Sequence, residues 1–320
     1  MEAKGKASRN KTLTIEDDEI MSLRQEIVYH DEVKEGMDYK DKIICDDVIN
    51  VLSCLPDGFA DLIIIDPPYN LSRNFGTVKF EAMKEDVYEE YLMSWFPEVC
   101  RKLSPKGSLY MCGDWKCTSS MQRVIAKYLK VINRITWQRE KGRGTKANWK
   151  NSMEDIWYAV RDEKNYHYDV EAVMMRRKVL APYRENGQAK DWEECDGGKF
   201  RNTHPSNFWD DISIPFWSMK ENTPHPTQKP EKLYAKLILA SSRKGDIVFD
   251  PFAGSGTSAV VARKLGRHYC GIEIDENYCL YAAKRIKNAS MDSSIQGYVG
   301  GVFWERNSKE EQIKNNNNNK

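Results

Sequence analysis

The sequence predicts an α/β fold built on a doubly wound, parallel-dominated sheet. Two observations carry that reading. Short apolar runs alternate with stretches of helical spacing through most of the chain, which is the pattern of a parallel sheet covered by helices. Two of those runs also stop abruptly at chemically distinctive turns, Asp66-Pro67-Pro68-Tyr69 and Asp250-Pro251-Phe252-Ala253-Gly254-Ser255-Gly256. With 320 residues, 40% of them hydrophobic and 30% charged, the chain has the length and composition of one large soluble core. The formal net charge is +1, so an anionic partner would have to be met by a local basic patch rather than by the whole molecule.

Taken in order, residues 1–40 are polar and weakly patterned and read as a loose N-terminal extension with a short helix around Ile15 to Val28. A catalytic half follows over 41–162. Lys42 to Cys45 is a short strand ending at Asp46, and Val48 to Leu55 has helical spacing. Asp61 to Ile65 is a strand that two prolines terminate, because proline supplies no ladder N–H. Val87 to Leu103 reads as an amphipathic helix interrupted or kinked near Pro97. Gly107 to Cys112, Val131 to Arg139 and Asp155 to Arg161 are further strands.

Residues 163–224 have little periodicity and many aromatic, charged, Gly and Pro residues. Irregular insertions on a rigid scaffold commonly carry recognition. A second half spans 225–307: helix Leu233 to Ser242, strand Asp246 to Phe249, helix Gly254 to Leu265, strand Tyr269 to Ile274 and helix Glu276 to Ile286. Residues 308–320, with the run Asn315 to Asn319, read as a disordered tail.

None of the eight cysteines forms a C-x-x-C pair, and most lie in apolar runs, so reduced core thiols are expected. The start does not read as a signal peptide and no apolar run approaches a membrane span. A cytoplasmic, nucleoid-associated chain is therefore expected. His225 has no other ligand type at metal-binding spacing, which argues against a metal site.

The turn Asp250 to Ser258 follows a strand and opens a helix. Its glycines permit close backbone approach to a ligand. Glu273, 19 residues beyond Gly254 at the next strand end, is placed to grip ribose hydroxyls. Taken alone, Gly254-Ser255-Gly256-Thr257-Ser258-Ala259 serves a nicotinamide dinucleotide as well as S-adenosylmethionine. Asp250-Pro251-Phe252 ahead of the glycines favours S-adenosylmethionine, with its methionine part near Phe252, Ala253, Gly254, Ser255, Gly256, Thr257 and Thr227.

Asp66-Pro67-Pro68-Tyr69 suits methylation of a planar amino group. Such a nitrogen is conjugated into its ring and is a poor nucleophile. Asp66 and the Pro67 carbonyl can each accept one of its N–H bonds and stabilise the positive charge that grows on it. The two prolines stiffen those acceptors, and Tyr69 offers a face on which an extruded base can stack.

On these residues the chain resembles the β-class amino DNA methyltransferases, in which D-P-P-Y precedes F-x-G-x-G. Here Phe252-Ala253-Gly254-Ser255-Gly256 comes about 180 residues after Asp66. His225-Pro226-Thr227-Gln228-Lys229-Pro230 and Cys45-Asp46-Asp47 match further family segments. The stretch Trp137 to Tyr158 resembles adenine-specific members of restriction–modification systems. The resemblance covers roughly Lys42 to Ile286.

It implies an S-adenosylmethionine-dependent, Rossmann-like sheet with circularly permuted motif order and an inserted target-recognition region. It also implies S-adenosyl-L-methionine held in part by Asp46, Asp66, Thr227, Lys229 and Asp250. The resemblance further implies methyl transfer to adenine N6 in double-stranded DNA by base flipping, with cytosine N4 the alternative, which more often accompanies S-P-P-Y. A homodimer and a cognate restriction endonuclease are the implied protein partners. The strand ends at Asp46, Asp66, Asp250 and Glu273 should line one cleft.

Arg139, Lys141, Arg143, Lys146 and Lys150 form a basic, glycine-containing loop suited to the phosphate backbone. Arg184 and Arg201 belong to a second basic and aromatic group, in the recognition region, where base contacts would set the site.

Overall fold

The computed structural model describes residues 8–75, 78–139, 146–180, 183–195, 198–308 and 312. Lys141, Arg143 and the Asn315 to Asn319 run lie outside the described residues.

A nine-stranded sheet organises the chain. Its strands are β1 (Ile27–Tyr29), β2 (Lys42–Cys45), β3 (Ala60–Ile65), β4 (Leu103–Gly113), β5 (Lys130–Gln138), β6 (Met153–Val160), β7 (Phe208–Trp209), β8 (Ile247–Asp250) and β9 (His268–Glu273). Their spatial order is β1-β2-β9-β8-β3-β4-β6-β5-β7. All neighbours pair in parallel except β6, which is antiparallel to both β4 and β5. The parallel-dominated sheet expected from the alternating pattern is present.

Strand β3 shows why the sheet is a middle layer. Leu62 and Ile64 enter one apolar cluster, while Ile63 and Ile65 enter the other, and all four are fully buried. Side chains alternate across a strand, so a continuous apolar run means both faces are covered. Helices α1 (Asp17–Arg24), α5 (Glu231–Ser241), α6 (Thr257–Lys264) and α7 (Glu276–Met291) supply one cover; α2 (Val48–Leu52), α3 (Glu85–Lys102) and α4 (Thr118–Tyr128) supply the other. Asp47 caps α2 and Asp275 caps α7, each accepting backbone N–H groups of the first turn.

All eleven residues of α5 are buried. A helix covered all round is a core helix, and its two lysines are compensated. Lys232 and Lys236 lie 2.6 and 2.7 Å from the carboxylate oxygens of buried Asp211, as buried charge requires.

Three details differ from the sequence reading. Helix α3 continues through Pro97 without interruption; tertiary packing of Trp95, Phe96 and Val99 in the core outweighs the one missing hydrogen bond. Residues 8–40 are not a loose extension. The segment contributes β1 to the sheet, and Lys11 and Leu13 donate backbone N–H groups to the carbonyls of Trp217 and Asn222. Residues 163–224, expected as a separate inserted region, also pair with a later part of the chain. A second, five-stranded sheet runs in the order Glu193–Cys195, Gly198–Thr203, Met175–Lys178, Val302–Trp304, Tyr298–Val299. Residues 298–304, expected in the cofactor half, are thus part of it.

Candidate active site

The carboxyl ends of β3 and β8 are neighbours, because Leu62 and Ile63 pair with Val248 and Phe249. The two motif turns leave the sheet side by side despite their separation in sequence. Both enter one cavity of about 510 Å³, a size that holds a small-molecule ligand.

On the β3 side, the Asp66 turn is held rigidly. Tyr88 of α3, fully buried, donates its hydroxyl to the Pro68 carbonyl at 3.0 Å. Asn70 exchanges two 2.8 Å hydrogen bonds with the backbone of Met83. Asp66 itself faces Lys229, whose ammonium lies 2.7 Å from both carboxylate oxygens. The Tyr69 hydroxyl lies 2.8 Å from Asp66 Oδ1 and 3.1 Å from Glu154 Oε2, so two carboxylates compete for its one proton. Glu154 also meets Lys229 at 3.3 Å and pairs with Arg139. Lys229 completes the group with its charge 5.2 Å from the Tyr69 ring centre.

The electrostatics follow from burial and pairing. Burial works against charge on Lys229, yet the Asp66 and Glu154 carboxylates hold it above the usual lysine range. Burial likewise opposes charge on Glu154, but Lys229 and Arg139 keep it below the usual carboxyl range. Asp66 is raised, chiefly by burial, with Lys229 opposing and the like charge of Glu154 adding to the shift.

On the β8 side, Gly254 and Gly256 have φ of +53° and +74°. A Cβ at Gly256 would stand 2.5 Å from the Ala282 Cβ, and one at Gly254 would stand 3.0 Å from His225 Nε2. Only glycine lets the turn pass here. Glu273 braces it, accepting the Gly254 N–H at 2.8 Å and the Asp275 N–H at 2.9 Å. Burial pushes the Glu273 carboxyl up to about 7 and holds His225 neutral by pushing it down to about 3.

The sequence-derived residues divide as follows. Asp66, Pro67, Pro68, Tyr69, Thr227, Lys229, Phe252, Ala253, Gly254, Ser255, Thr257 and Glu273 line the one cavity. Gly256 lies behind them, at the N-terminal cap of α6. Asp250 is buried beneath the turn and accepts the Phe252 N–H at 3.0 Å. Asp46 is not among the lining residues: its carboxylate is taken by His30 at 2.6 Å and Asn50 at 3.0 Å. The single cleft therefore gathers Asp66 and Glu273, with Asp250 under its floor and Asp46 beside it.

Arg139, expected on the DNA-facing loop, instead lines the cavity and pairs with Glu154. Lys146 and Lys150 are exposed. Arg184 stands 5.3 Å over the Trp192 ring, and Arg201 pairs with Asp191 at 3.0 Å on the surface. Sequence reasoning missed Glu154. Its one available signal was a carboxylate two residues ahead of the apolar run Ile156 to Val160, where a charge drawn into the strand needs a buried partner.

Comparison with known proteins gives the family. The family model described as a DNA methylase, for the N6/N4 type, matches residues 60–284. The DNA adenine methyltransferase YhdJ of Escherichia coli (strain K12) is 35% identical over 255 residues, covering 78% of this chain and 83% of that protein. The type II methyltransferase M.HpaI of Haemophilus parainfluenzae is 33% identical over 259 residues, covering 80% and 76%.

Among solved structures, the cytosine-N4-specific PvuII DNA methyltransferase matches with a TM-score of 0.59 at 18% identity, over 78% of this chain and 90% of that one. A DNA modification methylase from Thermus thermophilus, complexed with S-adenosyl-L-methionine, matches with a TM-score of 0.53 at 20% identity, over 83% and 98%. These two show the fold. The chain belongs to the N6/N4 DNA methylase family: it is a DNA methyltransferase, and its methyl donor is S-adenosylmethionine.

Proposed function

We propose that the chain methylates the exocyclic N6 of adenine in duplex DNA, at a base swung out of the helix into the cavity. The observation that carries this reading is the position of Asp66. Its carboxylate opens into the same cavity as the Gly254 turn, at the end of the adjacent strand. An Asp at the head of the motif, where Ser more often accompanies cytosine N4, favours adenine. So does the adenine specificity in the name of the 35% identical relative YhdJ; the cytosine-N4 neighbour shares only the fold at 18% identity.

The residues present fit the donor. Gly254 and Gly256 hold left-handed conformations in which a Cβ would press on His225 and Ala282, so only glycine lets the turn take this path along the cavity. Glu273 offers a carboxylate to ribose hydroxyls, and Phe252, Thr227 and Thr257 border the same space. When bound, S-adenosylmethionine supplies an electrophilic methyl group that needs no further activation. The protein's task is the nitrogen. Asp66 and the Pro67 carbonyl accept its two N–H bonds, which favours a tetrahedral nitrogen and stabilises its growing positive charge. The rigid Pro67-Pro68 turn, pinned by Tyr88, keeps those acceptors in line.

Lys146 and Lys150 are read as phosphate contacts, and residues 163–224 with Arg184 and Arg201 as the site-reading region. A homodimer and a companion restriction endonuclease complete the reading. Light scattering tests the dimer: a mass of one 37.2 kDa chain speaks against it. The test of the reaction is nucleoside analysis. Duplex DNA incubated with the chain and methyl-labelled donor should yield labelled N6-methyladenine after digestion. Label in N4-methylcytosine would move the assignment to the other branch of the family.

A further inference from the structure

Glu154 belongs to neither motif, yet it lines the same cavity as Asp66 and shares two of its partners. Strand β6 presents it opposite Trp137 of β5, and its side chain is only 3% exposed. Three donors converge on it: Arg139, the Tyr69 hydroxyl at 3.1 Å and the Lys229 ammonium at 3.3 Å. Two of these, Tyr69 and Lys229, also occupy Asp66, at 2.8 Å and at 2.7 Å on both oxygens.

Asp66 as it stands is crowded with donors. A carboxylate has about four acceptor sites, and those facing Lys229 and Tyr69 are engaged. To accept an amine N–H at full strength, Asp66 has to give up part of that company. Glu154 is within reach of both donors. The cluster holds two carboxylates and two cations, Asp66 and Glu154 with Lys229 and Arg139. Donors can thus lean from one carboxylate to the other without leaving net charge unpaired in a buried site.

We propose that Glu154, anchored by Arg139, is a positioning residue for methyl transfer, drawing the Tyr69 hydroxyl and Lys229 ammonium toward itself as the amine enters and so freeing an Asp66 oxygen for the amine N–H. This rests on the reading of Asp66 given above. In the transfer, the nitrogen lone pair forms the new N–C bond, and the methyl C–S bond breaks with its electron pair left on sulfur. The charge gained by nitrogen is relieved when one N–H proton passes to Asp66 and then to water. Glu154 exchanges no atom with the substrate.

The groups facing Asp66 are Tyr69 on its own turn, Cys112 on β4, Glu154 on β6, Arg139 beyond β5, Lys229 and Tyr234 around the start of α5, and Asp250 on β8. Glu154 is one of those whose negative charge opposes ionisation of Asp66. Removing that charge should move the acid limb of the kcat profile, set by Asp66, to lower pH.

The experiment compares the full chain with Glu154→Gln and with the double variant Glu154→Gln/Arg139→Gln, which keeps the charge balance where the single variant fails to fold. The expected single-variant result is a fall in kcat on the order of tenfold or more. Donor affinity by calorimetry and KM for DNA should hold, and the acid limb should shift to lower pH. The double variant should melt near the wild type and keep both changes. Wild-type kcat with an unmoved acid limb in Glu154→Gln overturns the proposal. So does recovery of kcat in the double variant, since Glu154 would then only balance Arg139. A joint fall of kcat, donor affinity and melting temperature in both variants makes the role structural and also overturns it. Asp66→Ala assayed alongside separates the two levels: activity there would sink the reading of Asp66 itself, whereas a dead Asp66→Ala beside a normal Glu154→Gln would sink only the role of Glu154.

Discussion

Lys229 Nζ lies 2.7 Å from each carboxylate oxygen of Asp66, a residue 163 positions earlier in the chain. This contact joins the His225-Pro226-Thr227-Gln228-Lys229-Pro230 segment to the Asp66 turn. Lys229 is 5% exposed, so the pair is desolvated as well as close. Removing one partner of such a pair leaves an uncompensated buried charge, which costs about 3–5 kcal/mol. Lys229→Ala should therefore lower the unfolding free energy by that amount, and Asp66→Asn added to it should recover part of the loss. A Lys229→Ala protein as stable as wild type would show that the pair is not held in solution.

The Gly-rich turn makes a steric prediction. Gly256 combines φ of +74° with a position at which a Cβ would stand 2.5 Å from the Ala282 Cβ of α7. Left-handed strain and overpacking act together there, so Gly256→Ala should destabilise the fold by about 2–4 kcal/mol. Donor affinity should fall with it, because the turn is displaced. Urea denaturation and calorimetry on one preparation measure both. Gly245→Ala, also at positive φ but with no atom within 4 Å of its Cβ, is the control for strain alone.

Burial of Asp250 makes stability depend on pH. Its folded-state pKa is pushed up to about 7 from the ordinary value of 3.8. Between those values the folded state holds the proton more tightly than the unfolded chain, so stability from this group rises as pH falls from 7 toward 4 and is absent above 7. His225, pushed down to about 3, acts in the opposite sense below its unfolded pKa. The informative quantity is hence the difference between wild type and Asp250→Asn. That difference should change by about 1.4 kcal/mol per pH unit through the window, in favour of wild type at the acid end. A flat difference between pH 4 and 7 would mean Asp250 is ionised in the folded state.

How much of this was written in the sequence depends on the range of the interaction. The β3 run Asp61 to Ile65 and its proline stop are local facts, and strand, boundary and site followed from them. The Gly254 turn and Glu273 also lie on adjacent βα units, so their spacing alone brought them together. Arg139 and Glu154 were harder. Arg139 reads as one more cation in a basic loop, and nothing in its neighbourhood says that β6 inserts antiparallel between β4 and β5 and carries Glu154 to it. The place of Asp46, beside the cleft and not lining it, was hidden for a similar reason. The residue that engages it, His30, lies in a segment whose polar composition hid a strand. Likewise, the pairing of residues 302–304 with 175–178 has no local signature.

With Arg139 paired to Glu154, the loop's described lysines are the ones whose proposed phosphate contacts are most direct to test. Lys146 and Lys150 are exposed, and changing both to Ala should weaken binding to cognate and random duplex about equally. The slope of log affinity against log salt should fall by roughly one unit for each phosphate partner removed. Arg184→Ala and Arg201→Ala should change which site is preferred, because base contacts carry discrimination. Loss of cognate binding alone in the lysine variant, at an unchanged salt slope, would reverse the assignment.

The central claim is that Asp66 acts on the target nitrogen, in a cavity whose donor site is built by the neighbouring Gly254 turn. The most direct measurement pairs a methyl-transfer assay on duplex DNA with calorimetric binding of the donor, for wild type and Asp66→Ala. Loss of one charge-assisted acceptor at the reacting nitrogen should slow transfer on the order of a hundredfold or more. Donor binding should survive, because the Gly254 turn and Glu273 are held by bonds that do not involve Asp66. Transfer at a near-wild-type rate in Asp66→Ala would contradict the account.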